Sequence, residues 1–187
     1  MRTHARIVYA TADTCFGRLL VARTDRGLCA ILFGSDDTSL RADLEQRFPN
    51  AEVSHAETAT DVTANIVGCI ERGDELAAGI ALDTDGTLFQ EIVWSAIRAI
   101  PSGETASYME LAQRIGRPRA ARAVARACAE NRLAVIVPCH RVVRTDGGVS
   151  GYRWGVERKQ ALLSRERWQP ADHPQMMTGT ASRTAMP

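Results

Sequence analysis

The chain has 187 residues, 45% hydrophobic and 24% charged, the composition of one globular domain or of two small ones sharing a core. No run approaches about eighteen apolar residues, and no apolar stretch follows the basic residues of MRTHARIVYATAD, so neither a membrane span nor a signal peptide is expected. The net charge of +1 conceals an asymmetry: residues 1–100 hold nine basic residues against fifteen acidic ones, and residues 101–168 hold thirteen against six.

Three short strands come first. RIVYATAD (6–13), RLLVART (18–24) and LCAILFG (28–34) are separated by the turn-prone TCFG and DRG, which predicts a hairpin-ordered, antiparallel three-stranded sheet. In TSLRADLEQRF, the spacing of Leu40, Leu44 and Phe48 predicts a helix ended by Pro49. A second helix follows in TATDVTANIVGCIERG, with Val62, Ile66 and Ile70 on one face and Gly73 as its stop. These elements make a small α/β domain over residues 1–85.

Helices dominate the rest. TLFQEIVWSAIRAIP opens with Thr87 and Gln90 at capping-box spacing, continues as an apolar stripe (Phe89, Val93, Ala96, Ile97, Ile100) and closes at Pro101. SYMELAQRIG repeats the box with Ser107 and Glu110, then Gly116 and Pro118 lead into RAARAVARACAEN. Two short helices joined by a tight glycine-containing turn form a helix-turn-helix pattern. GVERKQALLSRERW predicts a last helix with Val156, Leu162 and Leu163 facing inward. The fold class is therefore α+β, with a mainly helical domain over residues 86–168 and a disordered, weakly patterned tail over 169–187.

An acidic half joined to a basic one points to a polyanionic partner for the basic half, or to halves that attract each other. Arg119, Arg122 and Arg126 recur at helical spacing in an alanine-rich stretch, and such a face suits phosphate contacts. A solvated arginine face would look the same. The five cysteines (15, 29, 69, 128 and 139) are spread without a CxxC pair, which argues against a disulfide framework and for a reducing cytoplasm. Cys15, Cys29, Cys69 and Cys128 read as apolar filler. Cys139 stands beside His140 after the apolar AVIV and the backbone constraint of Pro138. It could be packing, or a nucleophile that His140 activates directly or through a water. No ligand spacing supports a metal.

The residues IVPCHRVV, preceded by SYMELAQRIGRPRAARAVARACAEN and followed by DGGVSGYRWGVERKQALLSRE, resemble the 6-O-alkylguanine-DNA alkyltransferases. The type is that found as the C-terminal half of the bacterial adaptive-response regulator. The resemblance is dense from Thr87 to Glu166 and weaker over GRLLVARTDRGLCAILFG. It implies a ribonuclease H-like N-terminal domain and a winged helix-turn-helix-like DNA-binding domain. It also implies direct-reversal repair: one irreversible transfer of a methyl group from 6-O-methylguanine, and from 4-O-methylthymine, to a cysteine of the protein. The lesion base would be flipped from the stack and approached from the minor groove.

Site roles implied by the resemblance follow position by position. Cys139 would accept the alkyl group, His140 would act as base through a water, and Glu166 would orient His140. Asn131 would hold the turn between the recognition helix and the active-site segment, and Tyr108 would protonate guanine N3. The carbonyls of Cys139 and Val142 would read the guanine amino group. The loop with Tyr152, Arg153 and Trp154 would wall the base pocket, Trp154 favouring methyl over bulky groups. Arg122 would enter the duplex in place of the flipped base, while Met109, Arg117 and Thr145 would contact the DNA backbone; Arg119 and Arg126 join them as DNA-binding candidates on their helical spacing alone. No cofactor or metal is implied. The partner would be double-stranded DNA carrying alkylated guanine, bound by a monomer in the cytoplasm at the nucleoid, with no membrane partner. Two other readings stand beside it: a module that binds alkylated bases without removing them, and a part of an adaptive-response transcriptional regulator, whose zinc-bearing activator portion has no equivalent here.

Overall fold

A computed structural model describes residues 6–56, 61–72, 80–149 and 151–166. Gly73 and the tail beyond residue 168 lie outside the described residues. Strands β1 (Arg6–Thr14), β2 (Gly17–Arg23) and β3 (Leu28–Gly34) pair antiparallel in chain order. Helix α1 (Asp37–Arg47) is capped by the Asp36 side chain, which accepts from Ser39 N at 2.8 Å, and buries Leu40 and Leu44 against β2 and β3.

The sheet has a fourth strand beyond the three expected. β4 (Glu52–His55) returns parallel to the far edge of β1, giving the order β3-β2-β1-β4. EVSH carries only one aliphatic residue, so nothing in its hydrophobic pattern announces a strand; the open edge of β1 supplies its hydrogen bonds. Helix α2 (Asp61–Arg72) covers β1 with Thr63, Ile66 and Ile70, while Val62 is half-buried.

In the second half, α3 (Leu88–Arg98) starts at a complete capping box between Thr87 and Gln90, with bonds of 3.3 and 2.8 Å. Its Val93, Trp94 and Ile97 are buried, and the Trp94 indole donates to Ala127 O at 2.9 Å. The two-residue strand β5 (Ala106–Ser107) runs directly into α4 (Tyr108–Arg114), whose capping box joins Ser107 and Glu110. Helix α4 ends where Gly116 adopts φ +70°. Gly116 N then bonds Gln113 O and Arg117 N bonds Ala112 O, the pair of bonds that turns a chain sharply off a helix. Helix α5 (Ala121–Ala129) follows. Arg119 thus precedes the helix and lies in the connecting turn, not on the helical face with Arg122 and Arg126.

A single 3-10 turn, Cys139–Arg141, leads to β6 (Val142–Val143), which pairs parallel with β5. Helix α6 (Val156–Arg165) closes the described chain. Its buried face differs from expectation: Val156 is 39% exposed, and Lys159 joins Leu162 and Leu163 inside. The helix starts only at Val156, so its inward stripe begins one turn later. The two halves share one apolar core. The segment before Cys139 docks on the open edge of β3, where Ile31 N bonds Arg132 O at 2.8 Å and Ala134 N bonds Ile31 O at 3.1 Å. No helix among the described residues is long and apolar enough to cross a membrane.

Candidate active site

Residues 131–141 form a compact knot. Asn131, 1% exposed, accepts from Leu133 N at 2.8 Å and donates to Val137 O at 2.9 Å and to Cys139 Sγ at 3.1 Å. Val135 takes φ +69°, costly for a β-branched residue, and so reverses the chain between Ala134 and Val137. The AVIV run is accordingly a turn with Ala134 and Val137 inside and Val135 and Ile136 half-buried. Pro138 then caps the 3-10 turn that presents Cys139 and His140.

Burial pushes the Cys139 thiol up to about 11, opposed by the Asn131 bond and the Lys159 charge. Cys139 as a whole is 4% exposed. His140 is completely buried, and burial lowers its pKa against the pull of Glu166. Its Nε2 lies 2.9 Å from Glu166 Oε1. Burial alone would raise the Glu166 carboxyl, but bonds from His140 and Arg141 prevail and hold it at about 2. An ionised carboxylate only accepts, so the proton on the neutral ring sits on Nε2 and the Nδ1 lone pair is free. That Nδ1 is buried and bonded to no described protein atom. A ring so held can receive a proton from a thiol through one water.

The β5–β6 pairing brings the start of α4 beside this knot. Tyr108, first residue of α4, is half-buried; burial pushes its phenol up to about 12, with the Cys128 and Cys139 thiols adding to the rise. It is a proton donor at neutral pH. Its hydroxyl lies 3.9 Å from where a Cβ on Gly151 would stand, so the loop after β6 faces it. Tyr152 in that loop sets its ring edge-on to His140, with centroids 6.4 Å apart, and edge-on to Trp154 at 5.2 Å. The Tyr152 hydroxyl is buried without a described partner.

Cys139, His140, Glu166, Asn131, Val142 and Tyr152 thus come together, with Tyr108 beside them. Trp154 and Arg153 do not line this cluster. Trp154 packs edge-on to Phe33 at 6.3 Å, and Arg153 reaches Ala129 O at 3.1 Å and Asp43 at 3.8 Å. Both help line a cavity of about 580 Å³ against the N-terminal domain, with Gly34, Ser35 and Arg158, and that lining does not include Cys139.

Met109, Arg117, Arg119, Arg122, Arg126 and Thr145 are all exposed. Arg117 stacks over Phe89 and Arg126 pairs with Glu130 at 2.8 Å. The cysteines expected to be filler divide: Cys29 and Cys128 are buried, Cys69 is intermediate, and Cys15 is exposed at the hairpin turn. Among the described residues no three His, Cys, Asp or Glu side chains converge as a metal site.

Two functional neighbours escaped the sequence reading. Arg141, 7% exposed, donates to both Glu166 oxygens, at 3.0 and 2.9 Å, and to Ile100 O at 2.5 Å. Lys159, completely buried, donates to Val142 O, and burial lowers its pKa. That carbonyl keeps a second lone pair for another donor. Lys159 is the chain's one lysine and lies three residues before Leu162 on the apolar face of α6, which was the available signal.

The chain matches two family models in succession: 6-O-methylguanine DNA methyltransferase, ribonuclease-like domain, over residues 7–92, and 6-O-methylguanine DNA methyltransferase, DNA binding domain, over residues 88–168. The bifunctional transcriptional activator/DNA repair enzyme Ada of Escherichia coli is 53% identical over 160 residues, which cover 84% of this chain and 45% of Ada. This chain therefore spans less than half of Ada's length. The methylated-DNA–protein-cysteine methyltransferase of Mycobacterium bovis is 41% identical over 173 residues, 89% of this chain and 96% of that protein. The crystal structure of Mycobacterium tuberculosis OGT in complex with DNA superposes with a TM-score of 0.71 at 34% identity, covering 86% of this chain and 92% of that one.

Proposed function

The chain belongs to the 6-O-methylguanine DNA methyltransferase family, and from that membership we propose that it repairs DNA by moving the alkyl group of 6-O-methylguanine onto its own Cys139. The observation that carries the reading is the buried relay at Cys139: a thiol held by Asn131, and a neutral imidazole whose Nε2 is committed to Glu166 and whose Nδ1 is not.

The chemistry follows from the proton inventory. At rest the thiol and the imidazole are both neutral, so Cys139 is a poor nucleophile until a substrate is seated. With the lesion in place, His140 Nδ1 takes the thiol proton through a water and Sγ attacks the methyl carbon. The carbon–O6 bond breaks and its electron pair stays on the guanine. Tyr108 gives guanine N3 a proton, so the base leaves neutral and not as an anion, and the proton on His140 passes back to the Tyr108 phenolate, leaving both side chains neutral. A thioether remains, which water does not cleave at a useful rate, and each molecule acts once. The same displacement applies to 4-O-methylthymine.

Duplex DNA is the partner, bound by a single copy of the chain across α4 and α5. Arg122 lies on the exposed face of α5 and is free to fill the space of an extruded base. The carbonyls of Cys139 and Val142 read the guanine amino group, and Tyr152 closes the pocket over the base.

Incubation with duplex DNA containing 6-O-methylguanine tests the proposal. Mass spectrometry should find one methyl group on the peptide carrying Cys139 and none on the other four cysteines, with unmodified guanine left in the DNA. Binding of the lesion with no change in the peptide would instead identify a non-catalytic recognition module.

A further inference from the structure

His140 is gripped from behind by a carboxylate that is itself gripped. Arg141 sends Nε to Glu166 Oε2 at 3.0 Å and Nη2 to Oε1 at 2.9 Å, a two-pronged pairing in which both side chains are 8% exposed. The third prong, Nη1, is anchored on Ile100 O at the end of α3. Oε1 is therefore shared between Arg141 and His140, while the long contact from Gly103 N at 3.5 Å adds little to Oε2. Pairing of this kind fixes a carboxylate plane as well as its charge.

We propose that Arg141 is a positioning residue for the transfer reaction: its grip on Glu166 aims Oε1 at His140 Nε2, so fixing the tautomer, and its guanidinium offsets the carboxylate's negative charge. The inference rests on the methyl-transfer reading above. Two physical reasons support it. A lone buried carboxylate beside His140 would draw a proton onto the ring and make it a cation, which cannot accept the thiol proton. A carboxylate free to rotate would also let the ring flip, exchanging the two nitrogens.

The charges facing His140 come from two elements, α6 with its C-terminal cap and the 3-10 turn. They are Glu166 after α6, Arg141 in its own turn and Lys159 on α6; Tyr152 from the loop presents only its neutral ring. Glu166 alone favours the imidazolium, and Arg141 and Lys159 oppose it, Arg141 the more strongly. Removing the Arg141 charge therefore raises the pKa of His140, and the base is lost at higher pH than in the parent protein.

The test is the pH dependence of single-turnover methyl transfer from duplex 6-O-methylguanine DNA for the parent, Arg141→Gln and Arg141→Lys. Arg141→Gln should move the acid limb up by about one pH unit, an added loss of about tenfold below the limb. Arg141→Lys keeps a charge without the fork, so it should slow transfer at every pH with a smaller displacement. Coincident acid limbs for parent and Arg141→Gln, with only a uniform loss, would overturn the proposal. Nitrogen NMR of His140 in the parent protein tests it even where Arg141→Gln does not fold. A neutral ring with its proton on Nε2 at pH 7 is expected, and an imidazolium or an Nδ1-protonated ring refutes the role. Absence of transfer in the parent would count against the methyl-transfer reading, whereas transfer with unshifted limbs counts against Arg141 alone.

Discussion

Replacing Asn131 by alanine should separate the parts this one amide plays. Its Oδ1 is the acceptor for Leu133 N, whose residue is 2% exposed, and its Nδ2 donates to Val137 O and Cys139 Sγ. In Asn131→Ala the Leu133 N–H is left buried without its acceptor, at a cost of about 1–3 kcal/mol. Val137 O retains the bond from Cys139 N at 2.7 Å, so its loss is nearer 1 kcal/mol. Together these come to about 3 kcal/mol, which for a chain of this size lowers the melting temperature by about 6–12 °C. Transfer suffers separately, because the thiol loses a bond that favours its ionised form and rises further above about 11. A hydrogen bond to a charged sulfur is worth about 1.5–3 kcal/mol, so transfer should slow by about tenfold to a hundredfold. Asn131→Asp keeps the acceptor for Leu133 but turns a carboxylate oxygen toward the thiol, and it should transfer more slowly than Asn131→Ala. Circular-dichroism melting and single-turnover transfer measure the two effects. An Asn131→Ala protein melting within about 2 °C of the parent and transferring at the parental rate would refute the reasoning.

Arg122→Ala should reduce transfer from duplex DNA far more than transfer from the free modified base, because extrusion is lost and the thiol is untouched; equal losses on both substrates would exclude the intercalating role. Trp154→Ala should cost about 3–5 kcal/mol of stability, as for other buried aromatic truncations, since its ring packs on Phe33 and Tyr152; little change in a urea denaturation curve, with faster transfer of benzyl groups, would return Trp154 to the pocket wall. The resting Cys139 thiol should resist iodoacetamide at pH 7 and become reactive only as pH rises toward about 11, the ionised fraction at pH 7 being of order one in ten thousand. Peptide mapping after timed alkylation checks this, and rapid labelling of Cys139 in the folded protein at pH 7 would contradict it.

Much of the site was legible without coordinates because it is local in the chain. Cys139 and His140 are adjacent, and both capping boxes, the Gly116 turn and the β1–β3 hairpins follow from short-range backbone chemistry. These patterns depend on neighbours within about four residues, which a sequence displays directly. The dense resemblance from Thr87 to Glu166 then supplied the meaning of PCHR.

Long-range pairing supplied the rest. β4 exists because β1 has an open edge, and β5 meets β6 across a separation of some thirty-six residues to set Tyr108 beside the cysteine. Trp154 and Arg153, neighbours of Tyr152 in sequence, turn toward the N-terminal domain, since only that packing buries the indole against Phe33. Arg141 and Lys159 lie in the basic half, and short-range pattern shows nothing of the partners that bury them. Their burial is possible only because Glu166, Ile100 O and Val142 O converge on them. A charge enters a protein interior when partners from distant segments are already in place, and those partners are a property of the fold and not of any stretch of sequence.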